Sequence, residues 1–398
     1  MEPVHLKLEL AVHGARLDAA LAERIGRGAG PSPARSALDV VLPGEVWVGV
    51  PIVDTPTPFV LAAEGKGACL LRHDGADQAS SRIGVRVATP PRYYQRRTSR
   101  GTLMSTIATV RAGQLVISPG APCGYGLSGA PCRFCVEGAR VEVERDEASV
   151  ANVIEVVRAA FDEGVAQHVY FNTALFDPED GGIAFLAPYI EGVRRHFDTL
   201  VVAQVHPPRS TAWVDRTYAM GVDALSYNLE IFDPALLGRY CVGRARYIGR
   251  ERYLDALAHA ASVFPSGTVW SDLVMGLEPA ESTLAGIEAL TAKGVVPVAA
   301  IVRSETPLPE PTAIAPVLSE LYRAAKRRGI NMGWVRDLAL GITPLEARQF
   351  AGDGARLAVT LQQLTRFRLG ALATRNLSRF RRRLRVRRVS ESFDSARL

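Results

Sequence analysis

Between residues 114 and 334, short apolar runs alternate with longer stretches of helical apolar spacing. The runs are 114–118, 169–171, 200–205, 224–227, 269–275, 296–302 and 330–334. The helical stretches are 147–163, 183–197, 212–220, 250–264, 281–293 and 312–328. Alternation at this spacing means βαβ units and a parallel sheet. Seven strands predict an α/β fold with a complete or nearly complete βα barrel. In such barrels the chemistry sits at the C-terminal ends of the strands.

Three of the five cysteines follow the first of these strands. Cys123, Cys132 and Cys135 share one glycine-rich loop of thirteen residues. Thiolates suit soft metals and iron–sulfur clusters. Three ligands leave one iron of a cluster open to a small molecule. A closed zinc site is the alternative, with a distant residue such as His206 as its fourth ligand. Small residues in an ordinary loop are the plain reading. A disulfide is not expected, because the count is odd and nothing marks secretion.

Residues 1–110 read as a β-rich N-terminal region. It opens with a short strand at 5–12 and a helix at 17–25, then a glycine loop at 26–30. Short β-type runs follow at 46–53, 59–63, 68–71 and 85–88. Cys69 lies in one of them and reads as a buried thiol. The barrel is expected over 111–340, a helical region over 341–374 and a basic tail over 375–398.

The tail holds nine arginines and two acids, a net of +7, and the other 374 residues carry 38 basic and 39 acidic groups. The overall charge of +6 therefore comes from the tail. No distributed basic face points to nucleic acid. The tail is a solvated arm or a surface for an acidic partner or an anionic membrane. No apolar run reaches the ~18–20 residues that span a bilayer, and no signal peptide is read at the N-terminus. A reducing cytoplasm is the expected location.

The pair Cys132-Arg-Phe-Cys135, directly after a first barrel strand, resembles the cluster loop of the radical S-adenosylmethionine enzymes. The commonest spacing there is C-x3-C-x2-C, and this chain has C-x8-C-x2-C. The segment 221–230, ending Asn228-Leu-Glu230, resembles the fourth-strand segment of biotin synthase and its relatives. There the Asn and the acid contact the adenosylmethionine, the acid at the ribose hydroxyls. The segment 269–278 resembles their fifth-strand Gly-Leu-Gly-Glu, with Glu278 in place of the second glycine. Gly276 would then allow close approach on the adenine side. Asn172 and Thr173 end the second strand, where relatives hold the methionyl amine. Arg250 and Arg252 lie near the position that meets the cofactor carboxylate.

A narrower likeness extends over about residues 20–305. The runs 27–31, 91–94, 98–101 and Ile107-Ala108 are similar to radical S-adenosylmethionine proteins encoded beside nitrilases in cyanide-assimilation clusters. The maturase for the iron-guanylylpyridinol hydrogenase cofactor is similar over the barrel. The resemblance implies a 4Fe–4S cluster on Cys123, Cys132 and Cys135, with S-adenosylmethionine as second cofactor. It implies a 5′-deoxyadenosyl radical that takes a hydrogen atom from a small molecule in biosynthesis or nitrile-related metabolism. A one-electron donor such as flavodoxin or ferredoxin would be the partner. The competing class is a non-catalytic zinc or electron-transfer iron–sulfur protein.

Four further residues stay open between packing and function. His206 faces the expected cavity or serves a turn. Tyr125 packs within the cluster loop. Cys241 is a buried thiol or acts on a radical. Asp272, inside the fifth strand, needs partners if buried.

Overall fold

The structure is a computed structural model that describes residues 2–25, 37–65, 67–72, 81–120, 123–135, 148–174, 177–303, 307–335, 338 and 340–352. The glycine loop at 26–30, the run 27–31, most of the expected helical region and the basic tail lie outside the described residues.

Two sheets organise the chain. The first holds β1 (Arg16–Leu17), β2 (Ala37–Leu42), β3 (Val46–Pro51), β4 (Phe59–Glu64), β5 (Gly67–Arg72) and β6 (Ser81–Val87). Its order is β1-β4-β5-β6-β2-β3. A parallel bridge between Ala15 and Ile52 brings the end of β3 back to the start of β1, so the sheet curls on itself. Closing an edge in this way removes a row of unpaired backbone groups.

The expected first strand is instead the helix Pro3–His13. Leucines at 6, 8 and 10 alternate as in a strand, but Pro3 occupies the first helical turn and favours a helix start. The helix is buried on more than one side, at Val4, Leu6, Lys7, Leu8 and Leu10, so its apolar residues show no single stripe. Lys7 is 1% exposed and meets Glu346 Oε1 at 2.8 Å, with its Nζ donating to Leu338 O at 2.7 Å.

The second sheet holds β7 (Ala108–Arg111), β8 (Gln114–Ile117), β9 (His168–Asn172), β10 (Val201–Gln204), β11 (Ala224–Ser226), β12 (Val269–Val274), β13 (Val296–Ala300) and β14 (Gly341–Ile342). Its order runs from β14 to β7 without a crossing. β8 to β13 are parallel, and β7 and β14 pair antiparallel at the two edges. The result is a curled, open half-barrel of six parallel strands among the described residues. The helices Val150–Asp162, Ile183–His196, Ala212–Ala219, Arg250–Val263, Ala280–Ala292 and Pro311–Arg327 connect or flank them. Each lies within a few residues of its expected range. Ser149 starts the first of these by accepting from the Asn152 N–H at 3.2 Å.

The seventh parallel strand, expected at 330–334, does not form. Asn331 Oδ1 accepts from the Gly333 N–H at 3.0 Å and turns the chain. Ile330, Met332 and Val335 then pack with Val202, Trp270, Val296 and Val298. These are inner-face positions of β10, β12 and β13, spaced by two. The segment plugs one end of the half-barrel, which gives an apolar floor beneath the strand ends.

The run 91–94 joins the two sheets. Tyr93 O–H donates to Ala108 O at 3.1 Å, and the Tyr94 hydroxyl accepts from the Val110 N–H at 2.8 Å. Glu163 accepts from the backbone of Arg92 and Tyr93. Ser99 is held in the same way by Glu155. These runs therefore have a structural use, docking the first region onto the helix Val150–Asp162 and Glu163 beyond its end.

Candidate active site

The cysteine loop leaves the C-terminal end of β8. Cys123 starts a short helix, Gly124–Leu127, and its Sγ accepts from the Gly126 N–H at 3.4 Å. The Gly124 N–H donates to Ala174 O at 3.0 Å, tying the loop to the end of β9. Tyr125 turns inward, buried against His206, and its hydroxyl shares a hydrogen bond of 3.3 Å with His206 Nδ1. Burial holds the His206 imidazole neutral, with Arg244 adding to the effect. The rings of Tyr125 and Tyr247 stack at 6.3 Å. Gly243 must be glycine here, since a Cβ would lie 2.4 Å from the Tyr125 ring.

The second half of the loop docks on the segment after β11. The Arg133 N–H donates to Tyr240 O at 2.9 Å, and the Gly243 N–H to Ala130 O at 3.0 Å. An antiparallel bridge pairs Cys132 with Cys241. Both are buried, while Cys123 and Cys135 are half-buried. A hydrogen bond from the Cys241 thiol favours the thiolate of Cys132 against the cost of burial, and the Arg244 guanidinium adds to it.

Arg244 is the centre of the buried polar network. Its Nη2 lies 3.3 Å from Glu230 Oε1. Its Nη1 donates to Tyr253 Oη at 3.1 Å and also to the Asn228 carbonyl. Asn228 is held at both ends of its amide: Ser226 Oγ donates to Oδ1, and Nδ2 donates to Asp272 Oδ2 at 2.8 Å. Tyr170 O–H donates to Gln204 Oε1 at 2.6 Å on the same inner face. Two buried atoms in this network, Arg244 Nε and Asp272 Oδ1, have no partner in the protein. Buried polar atoms are nearly always bonded, so each fits a ligand group.

Burial raises the carboxyl groups of Glu230 and Asp272 above their ordinary range. Arg244 opposes the rise at both, and Asp272 adds to it at Glu230.

Glu230 and Asn228 do meet in one network, but not because a strand runs through both. β11 ends at Ser226, and Glu230 has a φ of 71°. A left-handed glutamate is strained and persists only where its surroundings hold it. Its N–H donates to Asp272 O at 2.9 Å and its carbonyl accepts from the Val274 N–H at 2.7 Å. Glu278 fixes the next turn, accepting from the N–H groups of Phe232 and Asp233 and from Ser282 Oγ. The residue standing in place of a glycine is thus a structural carboxylate.

The remaining expected residues divide. Asn172 ends β9 at the sheet mouth, and the Thr173 N–H donates to Gln204 O at 3.3 Å. Arg252 Nη1 donates to Tyr247 O at 3.4 Å, and Arg250 pairs with Glu251 at 2.7 Å. Neither is the guanidinium that meets Glu230; that is Arg244. Gly276 has a φ of 84°, and a Cβ there would lie 2.4 Å from Pro309 Cδ. Packing alone requires this glycine. Cys69 is buried in β5, as expected.

Among the described residues, no three His, Cys, Asp or Glu side chains come together as a site for a single metal ion. A cubane cluster makes a different demand, because its thiolates bind separate irons. The donor set of three cysteines in one loop fits that group.

In kind, the chain resembles the radical S-adenosylmethionine enzymes, as its cysteine loop and strand ends implied. It is 26% identical over 195 residues, 44% of this chain, to bacteriochlorophyllide c C-7(1)-hydroxylase of Chlorobaculum limnaeum. The match spans about half that protein, 48% of its length. Similar solved structures include methylornithine synthase PylB, with a TM-score of 0.41 and 14% identity over 54% of this chain and 62% of that one. The FeFe-hydrogenase maturase HydG from Carboxydothermus hydrogenoformans has a TM-score of 0.39 and 16% identity over 50% and 49%. The cobalamin-dependent S-adenosylmethionine radical enzyme OxsB has 0.35 and 16% over 59% and 37%. No family model matches the chain. No helix among the described residues is long and apolar enough to cross a membrane.

Proposed function

We propose that this chain is a radical S-adenosylmethionine enzyme acting on a small-molecule substrate. One observation carries the reading: the three-cysteine loop at the end of the first parallel strand docks against a buried Arg244–Glu230–Asn228–Asp272 network. Cys123, Cys132 and Cys135 would hold a 4Fe–4S cluster, and the cluster with S-adenosylmethionine would supply one-electron radical chemistry for taking a hydrogen atom from the substrate.

The chain's own residues bind and orient. The Glu230 carboxylate accepts from the ribose diol, and Arg244 holds that carboxylate in place. Asn228 is fixed by Ser226 and Asp272, so its remaining amide hydrogen has a set direction. Asn172 and Thr173 would meet the methionyl amine. Gly276 lies on the adenine side. Arg244 replaces Arg252 as the basic group of the site. The apolar floor of Val202, Trp270, Val296 and Val298 excludes water from below.

A flavodoxin or ferredoxin supplies the electron, and a reducing cytoplasm suits the thiol loop. Residues 1–110 are an accessory region, 111–340 the catalytic half-barrel, 341–374 a helical extension and 375–398 a basic arm for an acidic partner or an anionic membrane. The likeness to proteins encoded beside nitrilases supports a substrate in nitrile-related metabolism or biosynthesis.

The test is anaerobic reconstitution followed by S-adenosylmethionine and excess dithionite. Methionine and 5′-deoxyadenosine should accumulate. Intact S-adenosylmethionine in the presence of a fully reducible cluster would overturn the reading.

A further inference from the structure

Cys241 stands more than a hundred residues after the cysteine loop, yet the fold seats it directly on Cys132. Three features hold it there. It lies at the junction of two short helices, Pro234–Tyr240 and Val242–Tyr247. Its own N–H donates to Leu237 O at 2.8 Å. The residues on both sides are clamped to the loop, Tyr240 by Arg133 and Gly243 by Ala130. Cys241 is 0% exposed, so its S–H has no water to turn to. A neutral thiol has one S–H to donate. The antiparallel pairing sets its side chain beside that of Cys132, on the same face.

We propose that Cys241 is a positioning residue for the cluster, its thiol donating a hydrogen bond to Cys132 Sγ and thereby setting the reduction potential. This rests on the function proposed above. An electron added to an iron–sulfur cluster places negative charge on its sulfurs. A donor bonded to one of those sulfurs therefore binds the reduced form more strongly and raises the potential. Cys241 is not a fourth ligand, and it contacts neither substrate nor S-adenosylmethionine.

The experiment is a redox titration of the reconstituted cluster followed by electron paramagnetic resonance, without S-adenosylmethionine. Three variants are compared with the parent: Cys241→Ala, Cys241→Val and Cys241→Ser. All should keep full iron and sulfide, because no ligand is changed. Ala and Val, which have no donor, should lower the reduction equilibrium about tenfold, ~59 mV for one electron. Ser keeps an O–H and should stay close to the parent value. Val fills the site if Ala leaves too large a gap for stable folding. Midpoints that match the parent in the donor-free variants would overturn the inference and leave the proposed function standing. Loss of the cluster in all three variants would also overturn it, making Cys241 a ligand. A parent protein that takes up no iron and sulfide would overturn the proposed function, and the inference with it.

Discussion

Arg244 Nη2 lies 3.3 Å from Glu230 Oε1, and both side chains are almost fully buried. A buried contact between a guanidinium and a carboxyl group is stable only when its other lone pairs and protons are also met. Here Tyr253 and the Asn228 carbonyl meet Nη1 of the guanidinium, and Nε is left for a ligand group. The pair links the cysteine loop to the residue expected at the ribose.

Glu230→Gln keeps size but replaces a strong diol acceptor with a weaker group. The loss of a charged hydrogen bond is worth about 1.5–3 kcal/mol, or roughly a 10- to 150-fold weaker affinity for S-adenosylmethionine. The cluster should still assemble. Equilibrium binding to the iron-replete variant checks this, and unchanged affinity would remove Glu230 from the ribose.

The same carboxylate makes stability depend on pH. Burial raises Glu230 from 4.5 to about 8 in the folded protein. Its contribution is fully present below the unfolded value and is lost as pH rises through the folded one. Metal-free protein should therefore lose stability between pH about 5 and about 9, and Glu230→Gln should lose less over that window. Urea midpoints of the two proteins across the window measure the difference. Parallel curves would show that burial does not raise the Glu230 carboxyl in the ligand-free protein.

Lys7 ties the first helix to the far end of the chain through Glu346. Lys7→Met fills the space but leaves the Glu346 carboxylate without its cation. Breaking such a buried pair costs about 3–5 kcal/mol. Glu346 keeps its bonds to Thr343, so the lower end of that range is expected. Denaturant unfolding checks it. A neutral effect would mean the pair is offset by its own desolvation.

The order of parallel strands and helices was legible because each run is apolar on both faces, the mark of a buried parallel strand. The first helix was not, because burial around its whole circumference erased the helical stripe and left Leu6, Leu8 and Leu10 looking like a strand. The end of the half-barrel was hidden for another reason. Ile330 and Met332 are apolar enough for a strand, but their partners are inner-face side chains rather than a neighbouring backbone. In the site, Asn228 and Glu230 stood out through the likeness of 221–230 to a fourth-strand segment, and Asp272 as an acid inside an apolar strand. Arg244 did not, because several arginines crowd residues 239–252 and only the docking of the cysteine loop singles one out. Cys241 was visible as a cysteine, but its contact with Cys132 is made by tertiary structure alone.

The central claim is that Cys123, Cys132 and Cys135 hold an open iron–sulfur cluster. The most direct measurement is the iron, sulfide and zinc content of anaerobically reconstituted protein, for the parent and for each cysteine replaced by Ala. The account expects about four irons and four sulfides per chain in the parent, with a brown absorption band. It expects that content to be lost in Cys123→Ala, Cys132→Ala or Cys135→Ala and kept in Cys69→Ala. A colourless parent protein loaded with zinc would contradict it.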